Sequence, residues 1–364
     1  MLVAEFASQQ ILLREIDCTN AFQISIFDLQ IVEKMKVLVT GPDGLLGSNL
    51  VRELLARKYE VTGFTEAGKS SPTIEGLPIK RVAGNLLNEK DLLDASEGMD
   101  IVIHCAANTS MFPARQPLVN QVNIIGTDNV VKACQINNVK RLIYVGTANS
   151  FGSGSLTELG TEKNSYNALH YGLDYMDSKY QAQINILRKV KEEGFDAVIV
   201  NPTFMIGPYD SRPTSGAMIL GIYEKKVPGY AVGGKNFVAV KDAAVAIANA
   251  ITFGEKGECY ILGNENLTYK EAFEKIAKVT GVTPPKIKVP KTVVALYGRF
   301  NSFYAQLFKN EPTLSKELAI LSNEIHYYSA EKAVKHLKMP QTPIDTAIKE
   351  CYDWFVENEY IKTA

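Results

Sequence analysis

Residues 36–47 decide the fold, because a short apolar strand runs into a glycine-rich turn and then into a helix. This stretch reads KVLVTGPDGLLG, with glycines at Gly41, Gly44 and Gly47. Glycine lets the backbone approach a pyrophosphate closely, and the helix N-terminus behind it presents free N–H groups and partial positive charge. An ordinary strand–helix turn is the alternative. At the first strand of an alternating pattern, the stretch predicts a dinucleotide-binding turn.

Strands and helices alternate downstream of this turn as far as residue 201. Strands are predicted at residues 59–64, 80–82, 100–104, 141–145 and 197–201, and further helices at 89–96, 120–137 and 171–191. Strands separated by helices of this length pair in parallel. The sequence therefore predicts an α/β fold, a doubly wound parallel sheet of the Rossmann type, over residues 35–201.

The pattern loosens after Pro202, and residues 202–364 are predicted to form mainly a smaller C-terminal lobe. Its predicted elements are helices at 217–225, 241–252, 269–280, 329–337 and 344–358, a hairpin at 233–240 and a strand at 259–262. Residues 1–34 lack the features of a signal peptide. They are either an added element packed on the domain or sequence upstream of a true start at Met35. We favour the second, because the fold pattern is complete from Met35.

Composition argues against several classes of protein. Lys plus Arg number 39 against 40 Asp plus Glu, a net charge of −1, whereas a nucleic-acid binder needs a basic surface. The 5 Cys are scattered and the 4 His show no metal-ligand spacing, so we expect neither a disulfide framework nor a metal site. Such thiol usage favours a reducing, cytoplasmic compartment. No apolar stretch reaches about 18 clean residues, so we expect no membrane span.

The end of the second strand discriminates between the two nicotinamide dinucleotides. Residues 61–66 read VTGFTE. A carboxylate at Glu66 can accept hydrogen bonds from a ribose 2′-hydroxyl and would repel a 2′-phosphate. Lys69 could meet a 2′-phosphate, and Glu66 could instead be a solvated loop side chain. On balance the sequence modestly favours NAD over NADP.

Tyr175 and Lys179 are spaced so that a helix places them on one face. A free tyrosine has a pKa near 10, and a neighbouring cation lowers it toward the range useful for proton transfer at neutral pH. The same Tyr-x-x-x-Lys spacing recurs at Tyr328 and Lys332. We attribute the second copy to chance, because it falls in the predicted lobe, away from the carboxyl ends of the strands.

The order of short motifs resembles that of the extended short-chain dehydrogenase/reductase family, from Met35 to about Lys362. The motifs are the glycine turn, Gly84-Asn85-Leu86, His104-Cys105-Ala106-Ala107, Asn123-x-x-Gly126-Thr127, Thr147 at a strand end, Tyr175 with Lys179, residues 201–208 (NPTFMIGP) and Val240-x-Asp242-x-Ala244. Each motif is weak alone, and the ordered set is specific.

The resemblance implies an NAD(P)-dependent oxidoreductase. Tyr175 would be the general acid/base toward a carbonyl or alcohol, Lys179 would lower the pKa of Tyr175 and hold the nicotinamide ribose, and Thr147 would hydrogen-bond the substrate oxygen. The residues implied to contact the cofactor are Gly41, Gly44, Leu45, Leu46, Gly47, Glu66, Asn85, Leu86, Cys105, Ala106, Ala107, Asn123, Tyr175, Lys179, Pro202, Thr203 and Met205. Asn123 would have a structural or proton-relay role, and His104 is expected to be a satisfied core histidine.

Three positions depart from the family pattern. Gly146 stands where a second serine is common, Asn201 replaces an arginine, and Met205 replaces a valine. None of these changes removes Thr147, Tyr175 or Lys179. A non-catalytic protein that only senses the dinucleotide is therefore disfavoured.

Substrate choice in this family lies in the lobe and in the loops after the strands. Candidate pocket residues are Thr109, Ser110, Met111, Phe112, Asn149, Ser150, Phe151, Phe204 and Met205. Residues 207–214 resemble dihydroflavonol 4-reductase-like members, which reduce ketones on apolar skeletons. The alternative is a nucleotide-sugar epimerase or dehydratase that retains its NAD, which would need cations for the diphosphate, with Arg212 and Arg299 as the obvious arginines. Members of the family often form homodimers.

Overall fold

The computed structural model describes residues 34–308, 310 and 312–362, so the predicted N-terminal extension lies outside the described residues except for Lys34. The strands are β1 Lys36–Thr40, β2 Glu60–Glu66, β3 Lys80–Gly84, β4 Ile101–His104, β5 Arg141–Val145, β6 Ala197–Pro202, β7 Phe204–Ile206, β8 Gly229–Tyr230, β9 Gly234–Ala239, β10 Cys259–Leu262, β11 Glu265–Thr268, β12 Ile287–Lys288 and β13 Ile325–His326. The helices are α1 Leu45–Ala56, α2 Glu89–Ser96, α3 Pro117–Asn120, α4 Gly126–Ile136, α5 Asp174–Glu193, α6 Ala217–Tyr223, α7 Val240–Phe253, α8 Tyr269–Thr280, α9 Lys291–Phe308, α10 Lys316–Leu321, α11 Glu331–His336 and α12 Ile344–Glu357.

A 7-stranded sheet of parallel strands forms the centre, in the order β10-β6-β5-β4-β1-β2-β3. Helices cover both faces. Val37 and Val39 of β1 pack into one core with α1 and α7, whereas Leu38 between them packs into the other core with α2, α4 and α5. Burial on both faces explains why these strands are continuous apolar runs. The predicted doubly wound parallel sheet is confirmed.

Strand β1 lies where the strand order reverses, with β2 on one side and β4 on the other. Its last residue, Thr40, is in register with Phe64 of β2 and His104 of β4. In sheets of this kind, ligands bind outside the carboxyl ends of the strands at such a switch point. The glycine turn predicted from the sequence follows Thr40 directly, so the fold places it at this crevice.

The chain after β6 builds a second, small sheet and also returns to the large one. Strand β9 lies at the centre of the small sheet, where it pairs with β7, β11 and β13. The hairpin predicted at residues 233–240 is wrong, because these residues form a single strand whose partners come from distant segments. Strand β10 extends the large sheet beside β6, and α7 packs against α1. The division at residue 202 stays a prediction.

The helix predicted at residues 171–191 begins at Asp174 instead. A short 3-10 turn, Ala168–Tyr171, precedes it, and Gly172 then takes a left-handed conformation with φ of 66°. Such a residue ends one helical segment before the next can begin. Tyr171 therefore lies outside α5, and Tyr175 lies in its first turn.

Helix α9 presents an apolar face to solvent and packs its other side on α10. Leu296, Phe300 and Phe303 are 64%, 68% and 66% exposed. At Gly298 a Cβ atom would collide with Ala319 of α10, so only glycine allows the two helices to approach this closely. Within the described residues, none of the helices has the length and apolar character needed to cross a membrane.

Candidate active site

The glycine turn has the geometry of a phosphate cradle. Gly41 has φ of 65°, and a Cβ there would come within 2.9 Å of the Cα of Ala106. A Cβ on Gly47 would overlap the Gly41 carbonyl oxygen. Gly44 precedes α1 without a side-chain cap, and a Cβ on it would meet only the Gly41 oxygen, at 3.8 Å. The open helix N-terminus therefore fits a pyrophosphate, and Leu45 and Leu46 supply its first amides.

Glu66 and Asn85 lie together at the far end of this crevice. Glu66 is the last residue of β2 and is in register with Gly84, so Asn85 follows beside it. The Glu66 carboxylate pairs with the Lys69 ammonium at 2.7 Å, and both side chains are more than half exposed. Glu66 thus faces solvent beside the Lys69 ammonium. The two side chains considered for the choice between NAD and NADP, Glu66 and Lys69, therefore form an ion pair with each other.

His104 and Cys105 carry no reactive chemistry. The His104 ring bonds the Thr40 hydroxyl at 2.7 Å and the Thr127 hydroxyl at 3.1 Å. Burial lowers its pKa to about 3, so it is a neutral core histidine, as expected. Burial raises the pKa of the Cys105 thiol to about 12, which keeps it protonated and unreactive.

Thr147, Tyr175 and Lys179 meet at the carboxyl end of β5. Thr147 precedes a 3-10 turn, Ala148–Ser150, and Tyr175 and Lys179 project from the first turns of α5. Lys179 is 3% exposed, and its ammonium donates to the Val145 carbonyl at 2.6 Å and lies 4.3 Å from the centre of the Tyr144 ring. The helix and the strand end thus bring the predicted set together.

The electrostatics of this set differ from the sequence expectation. Burial raises the pKa of Tyr175, and a hydrogen bond with the Thr147 side chain acts in the opposite direction. Burial also lowers the pKa of Lys179 to about 7. The net lowering expected for the Tyr175 pKa is therefore not found in this structure, because burial is the larger influence and the Lys179 ammonium donates its hydrogen bond to Val145.

Two of the departures from the family pattern compensate each other. The Asn201 amide donates to the Thr147 carbonyl at 3.0 Å and to the Gln183 side chain at 2.8 Å. A Cβ on residue 146 would come within 2.5 Å of that amide nitrogen. Gly146 therefore makes room for Asn201, and Asn201 fixes the backbone of Thr147.

Asn123 holds the loop after β4 against α5. Its side-chain amide donates to the Asn108 carbonyl at 2.9 Å and to Ser178 at 3.0 Å, and its oxygen accepts from the Asn108 amide at 2.8 Å. Asn123 is only 1% exposed. These contacts use all the hydrogen-bonding atoms of the Asn123 side chain, which fits the structural role better than the proton relay.

Leu86 packs against the core of the large sheet. A Cβ on Gly126 would come within 3.2 Å of the Leu86 Cβ.

A cavity opens in front of Tyr175 and Thr147. Its walls are Met111, Thr147, Ala148, Asn149, Tyr175, Met176, Pro202, Thr203, Phe204, Lys235, Asn236, Leu318, Leu321, His326 and Tyr328. Of the predicted pocket residues, Met111, Asn149 and Phe204 line it. Phe151 and Met205 pack against the two cores of the large sheet instead.

The residues on the lobe side of this cavity were not predicted from the sequence. Lys235 and Asn236 come from β9, His326 from β13, and Leu318 and Leu321 from α10. No local motif marks these residues, since they meet only through the pairing of β9 with β13 and the packing of α10. The placement of Tyr328 away from the site is also wrong, because it lines the same cavity.

Arg212, one of the two arginines considered for a sugar diphosphate, forms an ion pair within the protein. The Arg212 guanidinium pairs with Asp43 of the glycine turn at 2.9 Å. The pair ties the loop after β7 to the phosphate cradle, and its aspartate is largely buried.

A phosphate cradle at the switch point, with a threonine, a tyrosine and a lysine at a neighbouring strand end, defines a dinucleotide-dependent enzyme of the Rossmann class. The model of the NAD dependent epimerase/dehydratase family matches residues 37–263. The chain belongs to this family and to the extended short-chain dehydrogenase/reductases. It is thus an NAD(P)-dependent dehydrogenase/reductase or epimerase.

Individual relatives match nearly the whole chain. A putative dihydroflavonol 4-reductase of Synechocystis is 30% identical over 89% of this chain and 96% of its own length. Sterol demethylase protein B of Methylococcus capsulatus is 26% identical over 90% of this chain and 100% of its own. The crystal structure of gox2253 matches with a TM-score of 0.79 and 29% identity, covering 90% of this chain and 99% of that one.

Proposed function

We propose that the protein is a reductase or dehydrogenase acting on a ketone or alcohol that is carried by an apolar skeleton. The observation that carries this proposal is the cavity itself. Tyr175 and Thr147 lie on one wall, and Met111, Phe204 and Leu318 supply apolar surface around them. A relative named as a reductase, matched along nearly its whole length, supports the same conclusion.

The proposed mechanism assigns each polar group one task. When bound, the nicotinamide supplies or accepts the hydride. Thr147 and Tyr175 hydrogen-bond the substrate oxygen, and Tyr175 donates its proton as charge develops on that oxygen. Its raised pKa keeps Tyr175 protonated at neutral pH, which is the form that reduction needs. The buried Lys179 ammonium then stabilises the phenolate left on Tyr175.

NAD is the proposed preferred cofactor. Glu66 ends β2 beside Asn85, where a carboxylate can accept from a ribose 2′-hydroxyl. The neighbouring Lys69 is paired with Glu66, so a 2′-phosphate would have to break this ion pair and approach a carboxylate. Because exposed ion pairs contribute only about 0–1 kcal/mol, we expect the preference to be modest.

The epimerase alternative has less support from the cavity. A nucleotide-sugar diphosphate needs several cations, whereas the described residues that line the cavity include one lysine and no arginine. Arg212 pairs with Asp43. We further propose a reducing, cytoplasmic location, since Cys105, Cys134, Cys259 and Cys351 are free thiols. A homodimer stays an expectation from the family.

The proposal is tested by incubating the protein with a panel of ketones and alcohols and with both nicotinamide cofactors in each redox state. Absorbance at the reduced-nicotinamide band then reports net conversion of free cofactor. We expect net conversion, faster with the NAD couple. No net conversion, together with NAD released on denaturation and interconversion of nucleotide sugars, would replace the reductase by the epimerase.

A further inference from the structure

The lobe side of the cavity carries two basic side chains next to each other. Lys235 of β9 and His326 of β13 are register partners on neighbouring parallel strands. Both line the cavity that Tyr175 and Thr147 also line. The described lining contains no aspartate or glutamate. We call Lys235 and His326 the basic corner of the cavity. This corner faces the same cavity as Tyr175 and Thr147.

Lys235 is partly buried at the cavity wall. Within the described part of the chain it forms no ion pair, and its ammonium lies 4.8 Å from the centre of the Phe204 ring. Burial lowers its pKa to about 8, so most of it is protonated at pH 7. A partly buried ammonium without an anionic partner is only partly compensated by solvent. This charge is available to a ligand.

His326 offers a second unpaired polar atom in the same corner. It is 8% exposed, and its Nε2 atom is buried without a hydrogen-bond partner among the described residues. Burial, followed by the charge of Lys235, lowers its pKa to about 4, although the nearby Glu324 acts the other way. The Glu324 carboxylate itself accepts the Tyr171 hydroxyl. His326 is thus neutral, and in the tautomer with the proton on Nε2 it donates one hydrogen bond into the cavity.

We propose that Lys235 and His326 form a subsite for a carboxylate of the substrate, so that the enzyme acts on a hydroxy or oxo acid with an apolar chain. That the other end of this substrate carries the reacting hydroxyl or carbonyl group rests on the proposed function above. One ammonium and one neutral imidazole match a single negative charge better than a diphosphate. Phe204, Leu318 and Leu321 surround the corner with apolar surface suited to the chain.

The experiment compares hydroxydecanoates that differ in hydroxyl position, each beside its methyl ester, as substrates at saturating oxidised cofactor. We expect kcat/KM for the best acid to exceed that of its ester by about 10- to 100-fold. Lys235→Met should lower kcat/KM for the acid to the value for its ester, mainly by raising KM. Lys235→Arg should restore part of the difference in kcat/KM. Lys270→Met is the matched control, since Lys270 is 55% exposed on α8.

Calorimetric binding of decanoate and decanamide, at saturating NADH, separates the two proposals because it does not depend on turnover. Tighter binding of decanoate that Lys235→Met abolishes supports the subsite even if no hydroxy acid is oxidised, in which case only the reductase proposal falls. Equal binding of the two ligands, or equal turnover of acid and ester by the wild type, would overturn the subsite while leaving the reductase intact.

Discussion

Two segments of this molecule carry the same Tyr-x-x-x-Lys spacing, and both tyrosines line one cavity. Tyr175 and Lys179 lie on α5, whereas Tyr328 precedes α11 and Lys332 lies within it. Lys179 is buried and donates to the Val145 carbonyl. Lys332 instead bonds Glu258 at 2.5 Å and the Cys259 carbonyl at 2.8 Å.

The difference lies in the backbone that carries the spacing. A continuous helix places residues four apart on one face, so α5 aims both side chains at the end of β5. The second copy crosses from extended backbone into a helix, and its lysine is directed to β10, where it lies 4.7 Å from the centre of the Tyr260 ring. We therefore expect a role in the reaction for Tyr175 and Lys179, whose helix lies beside the cofactor crevice, and none for Tyr328 and Lys332.

The largest effect on kcat is expected from removing the hydroxyl of Tyr175, whereas removing that of Tyr328 should have little effect. Tyr175→Phe should lower kcat by about 10²- to 10⁴-fold, because the proton donor is lost while the ring still fills its place. Cofactor affinity, measured by fluorescence titration of NADH, should stay near that of the wild type.

Tyr328→Phe is the matched control in the same cavity. Its hydroxyl is 3.4 Å from the Phe151 carbonyl, and its loss should change kcat by less than about 5-fold. Equal losses in the two variants would mean that the distinction between the two segments is wrong.

Removing each lysine should separate function from stability. Lys179→Met should lower turnover by about 10- to 100-fold, because the phenolate loses its stabilising cation. It should also raise the melting temperature at pH 7 by a few degrees, because a desolvated ammonium is removed from the interior. Lys332→Met removes a partly exposed ion pair and should change turnover little.

The pH dependence of stability follows from the same group. The pKa of Lys179 is lowered from 10.5 to about 7 in the folded protein. Between these values the unfolded chain binds more protons, so the free energy of unfolding contributed by Lys179 rises with pH and levels off near 10.5. Denaturant unfolding at several pH values should show a shallower rise in Lys179→Met. A slope identical to that of the wild type would contradict the buried position of Lys179.

A smaller effect is expected from placing a serine at position 146. Gly146→Ser should destabilise the protein by about 1–3 kcal/mol, because its Cβ would come within 2.5 Å of the Asn201 amide, which two hydrogen bonds hold in place. Adding Asn201→Ala should recover part of this loss. A double-mutant cycle from denaturant unfolding measures the coupling, and strict additivity would show that the two positions are independent.

The smallest effect concerns the choice of dinucleotide. Glu66→Arg removes a carboxylate from the end of β2 and frees Lys69, so the ratio of kcat/KM for NADH to that for NADPH should fall by about 10-fold. Glu60→Arg at the other end of the same strand is the matched charge change. A ratio unchanged by Glu66→Arg would mean that Glu66 does not contact the ribose.

Much of the phosphate cradle and the Tyr175 side of the site could be predicted, because each residue stands in a short motif at the end of a strand. Lys235 and His326 could not, since they come from strands far apart in the chain that pair only in the folded protein. The prediction of a hairpin around β9 failed for the same reason. Gly146 and Asn201 could be noticed one by one, but only the folded structure shows that they are in contact.

Hydride transfer from a freely exchanging cofactor to the substrate carbon is measured with NADH carrying deuterium at the transferred position of nicotinamide C4. Mass spectrometry of the product follows the label. We expect one deuterium on the carbinol carbon and an equal amount of released NAD. A product without deuterium, formed while the cofactor stays bound, would contradict this expectation.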